Sequence, residues 1–299
     1  MKVTDEINGV VAVYKPQGWT SFDVVAKLRG VLHTRKIGHG GTLDPMAEGV
    51  LPVFVGKATK ACDILPDKQK GYIAGFRLGL TTDTQDITGT ELSRNENDVT
   101  EDELRACAQS FVGDTMQIPP MYSAVKIDGK RLYELAREGK TVERQPRPIH
   151  VDIIDVTDYD ENTRMGHLTI LCSKGTYVRT IISDMGEKLG TGGVMTSLVR
   201  IYSGGLTIRD CMRIEEISKK VVETGLDSVL TPLDRCFPDY PEITLDEHCT
   251  RLYKNGVRLR PDQTGTAPDD NIYRVYGTSG FLGLGRFEDS EFRSYKNFF

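Results

Sequence analysis

Residues 38–52 read GHGGTLDPMAEGVLP, a stretch in which glycines and prolines surround a single aspartate, Asp44. Glycine permits backbone conformations that are closed to other residues and lets a ligand approach the main chain closely. Pro45 fixes its own φ angle and pushes Asp44 toward an extended conformation. An Asp-Pro pair taken alone is an ordinary turn dipeptide. The whole stretch predicts a rigid loop that presents the Asp44 carboxylate.

Strands and amphipathic helices are predicted on both sides of this loop. An apolar run suits a buried strand at 9–14, and Thr20 with Asp23 predicts a capped helix that reaches about Leu32. Strands and helices follow each other without a strict βαβ alternation, so the sequence predicts an α+β fold rather than a doubly wound sheet. The remaining predicted elements are strands near 51–55, 72–80, 149–157 and 166–173, a helix over 100–111 with a capping box, and a helix from about 176.

The character of the sequence changes after residues 234–241. Short strand patterns and turns follow, among them 253–256 and 277–280. We therefore expect a large domain over 1–236 and a small β-rich domain over 240–299, which could also be a purely structural cap. A proline-bounded basic segment, 119–148, is expected to form a hairpin or helical insertion in the large domain.

The composition and the first residues of the chain indicate where in the cell the protein is expected to be found. The 299 residues are 38% hydrophobic and 27% charged, which is typical of a soluble globular protein. The first seven residues contain no apolar signal region, and no apolar run reaches the roughly 20 residues that a spanning helix needs. The six cysteines form no C-x-x-C pair and the five histidines no H-x-x-x-H pair. We expect a cytoplasmic protein with reduced thiols, no membrane association and no metal site.

The charge is unevenly distributed along the chain. A net charge of −5 argues, on its own, against a nucleic-acid partner. Basic residues nevertheless outnumber acidic ones over 15–70 and 126–147, whereas 83–103 is strongly acidic. A molecule with such a distribution can offer a basic face to RNA and keep an acidic face in water.

Residues 38–52 resemble the active-site motif of the B-type tRNA pseudouridine synthases, the TruB family, whose pattern is G-H-x-G-x-L-D-P-x-A-x-G-x-L-P. Every fixed position of that pattern is met. Several ordered motifs of this length seldom coincide by chance. The resemblance implies a pseudouridine synthase fold, in which a central, mostly antiparallel sheet carries a long cleft, and a PUA-like RNA-binding C-terminal domain. It continues in the same order through KPQG at 15–18, GY at 71–72, DT at 83–84, PMYSAVK at 120–126 and SKGTYVRT at 173–180.

The function implied by the resemblance is the conversion of uridine 55 in the T loop of tRNA to pseudouridine. The reaction breaks the N1–C1′ bond, turns the base and rejoins it through C5, and it needs no cofactor. Guide-RNA-dependent relatives share the aspartate motif but usually carry long basic extensions, which this chain lacks. We therefore expect a stand-alone enzyme that recognises the tRNA T arm, with no need for a protein partner or for more than a monomer.

The resemblance also implies roles for individual residues. Asp44 acts at the ribose C1′, as the nucleophile of a retaining glycosidase does. Arg179 is the cation that keeps this carboxylate ionised, through a planar fork. Tyr72 stacks on the uracil and assists proton movement, and Tyr177 with Leu198 lines the same pocket. Without the motifs, Arg179 would read as a surface arginine and the other three as packing residues.

A further group of residues is expected to bind the RNA. The target uridine must be flipped out of the folded T loop, and His39 resembles the family residue that fills the gap. Lys15 is expected to be either a structural residue or a phosphate contact near the cleft. The 119–148 insertion resembles a flexible thumb that closes over the T arm, with three phosphate-binding residues: Lys126, Lys130 and Arg131.

Two other functions are consistent with parts of the sequence. Asp44 and Glu48 could divide acid and base roles in a glycosidase or nucleoside hydrolase, although Pro45 disfavours a helical pairing of the two carboxylates. An RNA-binding or tRNA-folding protein could keep the fold without catalysis. The presence of Asp44, Tyr72 and Arg179 together argues against a protein that has lost catalysis, and it leaves an additional RNA-folding role open.

Overall fold

The computed structural model describes residues 7–95, 97–127 and 129–299. Residues 1–6, from which the absence of a signal region was predicted, lie outside the described part. The helices are α1 (Ser21–Val31), α2 (Glu101–Gln109), α3 (Leu132–Arg137), α4 (Val178–Lys188), α5 (Ile214–Thr224), α6 (Glu247–Lys254) and α7 (Pro261–Thr264). The strands are β1 (Gly9–Lys15), β2 (Ile37–His39), β3 (Glu48–Val55), β4 (Lys70–Leu78), β5 (Leu80–Thr82), β6 (Glu91–Arg94), β7 (Gly113–Gln117), β8 (Lys126–Ile127), β9 (Lys130–Arg131), β10 (Arg147–Asp160), β11 (Met165–Cys172), β12 (Gly193–Ser203), β13 (Leu206–Thr207), β14 (Glu242–Thr244), β15 (Ile272–Gly277), β16 (Gly280–Glu288) and β17 (Glu291–Asn297).

A mixed sheet forms the centre of the molecule, with the strand order β1-β3-β12-β4-β11-β10-β7. Two further strands belong to this sheet but lie outside that order: β2 pairs with β3, and β13 pairs with β12. All of these pairings are antiparallel except a short parallel contact between β12 and β3. The predicted α+β class with a mostly antiparallel central sheet is confirmed.

The predicted elements around the Asp44 loop are present. The Thr20 and Asp23 side chains form the expected capping box at the start of α1, and Thr100 with Glu103 forms the one at the start of α2. In β4, Tyr72 and Ala74 are buried while Ile73 between them is exposed, as the period-two pattern predicts. The buried face of β4 packs with α2 and α4 in one hydrophobic core, and α1 with α5 packs against β1 and β3 in another.

The C-terminal part contains a four-stranded sheet in the order β14-β15-β16-β17, so the expected β-rich end of the chain is confirmed. The turn predicted at 277–280 joins β15 to β16. The helix α6 was not predicted, because the pattern at 253–256 indicated only a turn between strands. The Asp246 side chain caps this helix by accepting a hydrogen bond from the Cys249 amide at 2.7 Å.

The two sheets share a hydrophobic core. Phe54 of β3 is fully buried in the same cluster as Phe237, Leu284 of β16 and Phe298. Lys60 also donates a hydrogen bond to the Asn297 carbonyl at 3.1 Å. The C-terminal sheet is therefore packed directly against the strand that leaves the Asp44 loop. None of the helices in the described part of the chain combines the length and apolar character that crossing a membrane requires.

Candidate active site

A cleft of about 270 Å³ opens beside the Asp44 loop. This volume lies near the lower end of the usual range for small-molecule sites, roughly 300–1,000 Å³. The cleft brings together five residues that were predicted from the sequence to form the site, namely Asp44, Tyr72, Tyr177, Arg179 and Leu198. Asp44 comes from the loop between β2 and β3, Tyr72 from β4, Tyr177 and Arg179 from the start of α4 and the residue before it, and Leu198 from β12.

Asp44 and Arg179 form an ion pair at the wall of the cleft. Arg179 is the second residue of α4, and its Nη1 donates to Asp44 Oδ2 while its Nη2 donates to the Tyr122 carbonyl at 2.5 Å. The Asp44 side chain is 38% exposed and that of Arg179 only 5% exposed. The carboxylate can therefore meet a ligand, while the guanidinium that balances its charge stays buried behind it.

The Asp44 loop is held from below by backbone-directed hydrogen bonds. Lys15 is fully buried, and its Nζ donates to the carbonyls of Ala47 at 2.5 Å and Pro16 at 2.9 Å. The Gly18 amide donates to the Pro45 carbonyl at 2.8 Å. Lys15 thus has a structural role in the loop. A phosphate contact, the other role expected for it, does not fit a side chain with no exposed surface.

Arg200 of β12 holds the loop from the other side and was missed by the sequence analysis. Its side chain is 1% exposed, and its Nε donates to the Val50 carbonyl at 2.7 Å. Its Nη2 donates to the Gly41 carbonyl at 3.2 Å, and its backbone lies opposite Tyr72 in the sheet. An isolated arginine in the apolar strand pattern VRI was the only available signal. Arg200 therefore couples the Asp44 loop to the strand that carries Tyr72.

Replacing Gly49 by alanine is expected to destabilise the protein and displace this loop. Gly49 has φ of 101°, and a Cβ there would overlap the Arg200 carbonyl oxygen. Strained backbone and steric overlap together should lower the free energy of unfolding by about 3 kcal/mol or more. Gly256→Ala is the matched control, because Gly256 also has a positive φ, 77°, but space for a Cβ, so only about 1 kcal/mol is expected. Urea unfolding of both variants compares the two effects, and equal losses would contradict the role given to the Gly49–Arg200 contact.

The aromatic residues of the cleft are fixed by their surroundings. Burial raises the pKa of the Tyr72 phenol, so the phenol stays protonated at neutral pH. The Tyr177 amide donates to Gln117 Oε1 at 2.8 Å, and Gln117 Nε2 donates back to the Tyr177 carbonyl at 3.0 Å. Gln117 was not recognised in the sequence because β7 lies 60 residues before α4. Its double contact holds the start of the helix that carries Arg179.

His39 lies beside the cleft rather than in it. It is the last residue of β2 and is partly buried, and burial lowers the pKa of its imidazole. Its Nδ1 is buried and has no hydrogen-bond partner among the described residues. His39 lines an adjoining cavity of about 200 Å³ together with Lys70 and Lys174. A neutral imidazole in this position is apolar enough to pack against a nucleobase.

The 119–148 segment contains the β8–β9 hairpin followed by α3. The segment therefore includes both the hairpin and the helix, which were expected as alternatives. Its three predicted RNA-binding residues are exposed on the surface and do not line the cleft. The start of the segment does reach the site, since Ser123 borders the cleft and the Tyr122 carbonyl binds Arg179. The predicted surface residues are Lys126, Lys130 and Arg131.

Comparison with protein families gives two matches that together cover residues 29–237. Residues 29–178 match the description "TruB family pseudouridylate synthase (N terminal domain)". Residues 179–237 match "tRNA pseudouridylate synthase B C-terminal domain". The boundary between the two matches falls inside the cleft, at the start of α4.

Curated relatives are similar over nearly their whole length. A protein from Levilactobacillus brevis named tRNA pseudouridine synthase B is 41% identical over 98% of this chain and 99% of its own. One of the same name from Clostridium perfringens is 41% identical over 96% of this chain and 97% of its own. A chain in the crystal structure of a Cbf5-Nop10-Gar1 complex superposes with a TM-score of 0.73 at 24% identity, over 97% of this chain and 85% of that one. This last similarity shows a shared fold.

Proposed function

This chain belongs to the TruB family of pseudouridylate synthases and forms pseudouridine in tRNA, and we propose that its target is uridine 55 in the T loop. The pseudouridine synthase fold expected from the sequence is confirmed. The observation that carries the proposal is the Asp44–Arg179 ion pair, which presents a half-exposed carboxylate in a cleft of a size suited to one nucleoside.

The proposed reaction is an isomerisation in which no atom is gained. The N1–C1′ bond breaks, C5 bonds to C1′, and the base loses a proton from C5 and gains one at N1. The Asp44 carboxylate acts at C1′, where positive charge develops as the glycosidic bond breaks. The buried Arg179 guanidinium balances the charge of the carboxylate and fixes its direction. The adjoining loop is rigid because Lys15 and Arg200 bind its carbonyls, so little reorganisation is required.

The proposed roles of the surrounding residues follow from their positions. Tyr72, protonated and buried in the cleft, stacks on the uracil, and Tyr177 and Leu198 close the pocket around it. Flipping the uridine out of the T loop costs about a few kcal/mol. We assign to His39, in the adjoining cavity, the filling of the gap that the base leaves.

RNA binding outside the cleft is proposed for two regions. The 119–148 insertion contacts the T arm through its exposed cations, including Lys126, Lys130 and Arg131. The catalytic domain extends over 1–236, and 240–299 forms a PUA-like domain that binds the RNA away from the target. We propose a cytoplasmic enzyme that acts as a monomer and needs neither a cofactor nor a protein partner.

Incubation of the purified protein with an unmodified tRNA transcript tests this function. The expected result is pseudouridine at position 55, detected by chemical adduct sequencing, with no cofactor added. A transcript with cytidine at position 55 is the matched control and should acquire no pseudouridine in the T loop. Pseudouridine at a different tRNA position would contradict the proposed target. Tight binding without modification would favour a tRNA-folding protein.

A further inference from the structure

A lysine that the proposed mechanism leaves unused borders the cleft. Lys70 is the first residue of β4, two residues before Tyr72, so the two side chains lie on the same face of the strand. Its Nζ donates to Ser203 Oγ at 2.9 Å. Lys70 is half-buried and lines both the Asp44 cleft and the adjoining cavity that contains His39. Lys70 therefore lies between the Asp44 cleft and the adjoining cavity and contributes to the wall of both.

The charges around Lys70 leave its ammonium group without a bound anion. Within the described residues, no carboxylate forms an ion pair with Lys70. Asp67 is nearby, but its carboxylate accepts a hydrogen bond from the Tyr202 hydroxyl. Lys174 lines the same two spaces and is exposed. The wall shared by the two spaces is therefore basic, while Asp63 and Asp67 also line the adjoining cavity.

We propose that Lys70 binds a phosphate group of the RNA strand whose uridine enters the cleft. This inference rests on the proposed function, since it requires an RNA substrate with a base beside Asp44. A nucleotide held at its base and C1′ has its own phosphates within a few bonds of the ribose, close to the wall of the cleft. A compact ammonium group binds a phosphate as a point charge, with Lys174 as a second, exposed cation.

The surroundings of Lys70 make this contact sensitive to pH. Burial, and next the neighbouring Arg200 of β12, lower the pKa of Lys70 to about 8, while Asp67 opposes this shift. The other groups that face it are Lys174, Cys172 of β11, and Asp63, Lys68 and His39 of the adjoining cavity. The Cys172 thiol stays neutral because burial raises its pKa to about 11. The ammonium form is present below pH 8 and is lost as the pH rises above it. A phosphate contact made by Lys70 is lost over the same range.

The affinity of the protein for tRNA, measured against pH and salt, tests the proposal. Wild-type affinity is expected to fall about 5- to 10-fold between pH 7 and pH 9. Lys70→Met should bind about tenfold more weakly at pH 7, show a smaller pH dependence, and lower the slope of log Kd against log salt by about 0.7–0.9. Lys70→Arg should keep its charge and remove most of the pH dependence. Lys220→Met, at an exposed position on α5, is the charge-matched control.

The outcomes separate this inference from the proposed function. Wild-type protein that forms no pseudouridine overturns the function itself, whatever Lys70 does. Active wild-type protein with unchanged affinity, pH dependence and salt slope in Lys70→Met overturns the phosphate contact. A loss of kcat at saturating tRNA, with KM unchanged, also overturns it, because Lys70 would then act in the chemical step. Urea unfolding of each variant shows whether lost affinity reflects lost folding.

Discussion

Asp44→Asn is expected to reduce pseudouridine formation by at least about four orders of magnitude, the scale seen when an enzyme loses its nucleophile. An amide cannot attack C1′ or balance the positive charge that develops there. The change is nearly isosteric, and the amide oxygen can still accept the hydrogen bond from Arg179. We therefore expect tRNA affinity to stay within a few-fold of wild type, because the surfaces that bind the RNA are unchanged.

Single-turnover assays at saturating protein measure this effect without interference from product release. Glu48→Gln is the matched control, since Glu48 lies four residues later and its pairing with Asp44 is what a two-carboxylate glycosidase would need. The Glu48 side chain contacts Tyr14 instead, and it does not line the cleft. A loss in Glu48→Gln as large as that in Asp44→Asn would favour the two-carboxylate mechanism. Substantial activity in Asp44→Asn would remove Asp44 from the chemical step.

Local signals in the sequence predicted much of the fold. The capping boxes at Thr20 and Thr100 depend on residues only three positions apart, so they could be read directly. The alternation of buried and exposed side chains in β4 depends on a single strand, so it could also be predicted from the sequence. The placing of Asp44, Tyr72 and Arg179 in one cleft came from the resemblance, since no local pattern brings Arg179 to Asp44 across 135 positions.

Contacts between distant segments account for what was missed. Arg200 binds the carbonyl of Val50 across 150 positions, and main-chain carbonyls leave no trace in the side-chain pattern. The sequence left two roles possible for Lys15, a structural one and a phosphate contact, because only the fold shows that its ammonium group lies beneath the Asp44 loop. The helix α6 was missed because its cap, Asp246, lies in a stretch that otherwise reads as turns and short strands.

Arg179→Lys is expected to lower kcat by about 100- to 1,000-fold, the range observed when one preorganised donor at a transition state is lost. The guanidinium serves two acceptors at once, Asp44 Oδ2 and the Tyr122 carbonyl. A lysine keeps the positive charge but lacks the planar fork, so it cannot bind both in the same geometry. The Asp44 carboxylate would keep a nearby cation and lose its fixed direction toward C1′.

The balance between kcat and KM distinguishes this role from simple RNA binding. Arg179 is 5% exposed and lies behind the carboxylate, so a phosphate cannot reach it directly and KM for tRNA should change only a few-fold. Arg105→Lys is the matched control, because Arg105 also makes a forked contact, with Glu101 and the Val156 carbonyl, on α2 away from the cleft. That variant should stay within about twofold of wild-type kcat, as exposed ion pairs contribute little. A large rise in KM with unchanged kcat in Arg179→Lys would mean that Arg179 orders the 119–148 insertion for RNA binding, through Tyr122, and that Asp44 acts without it.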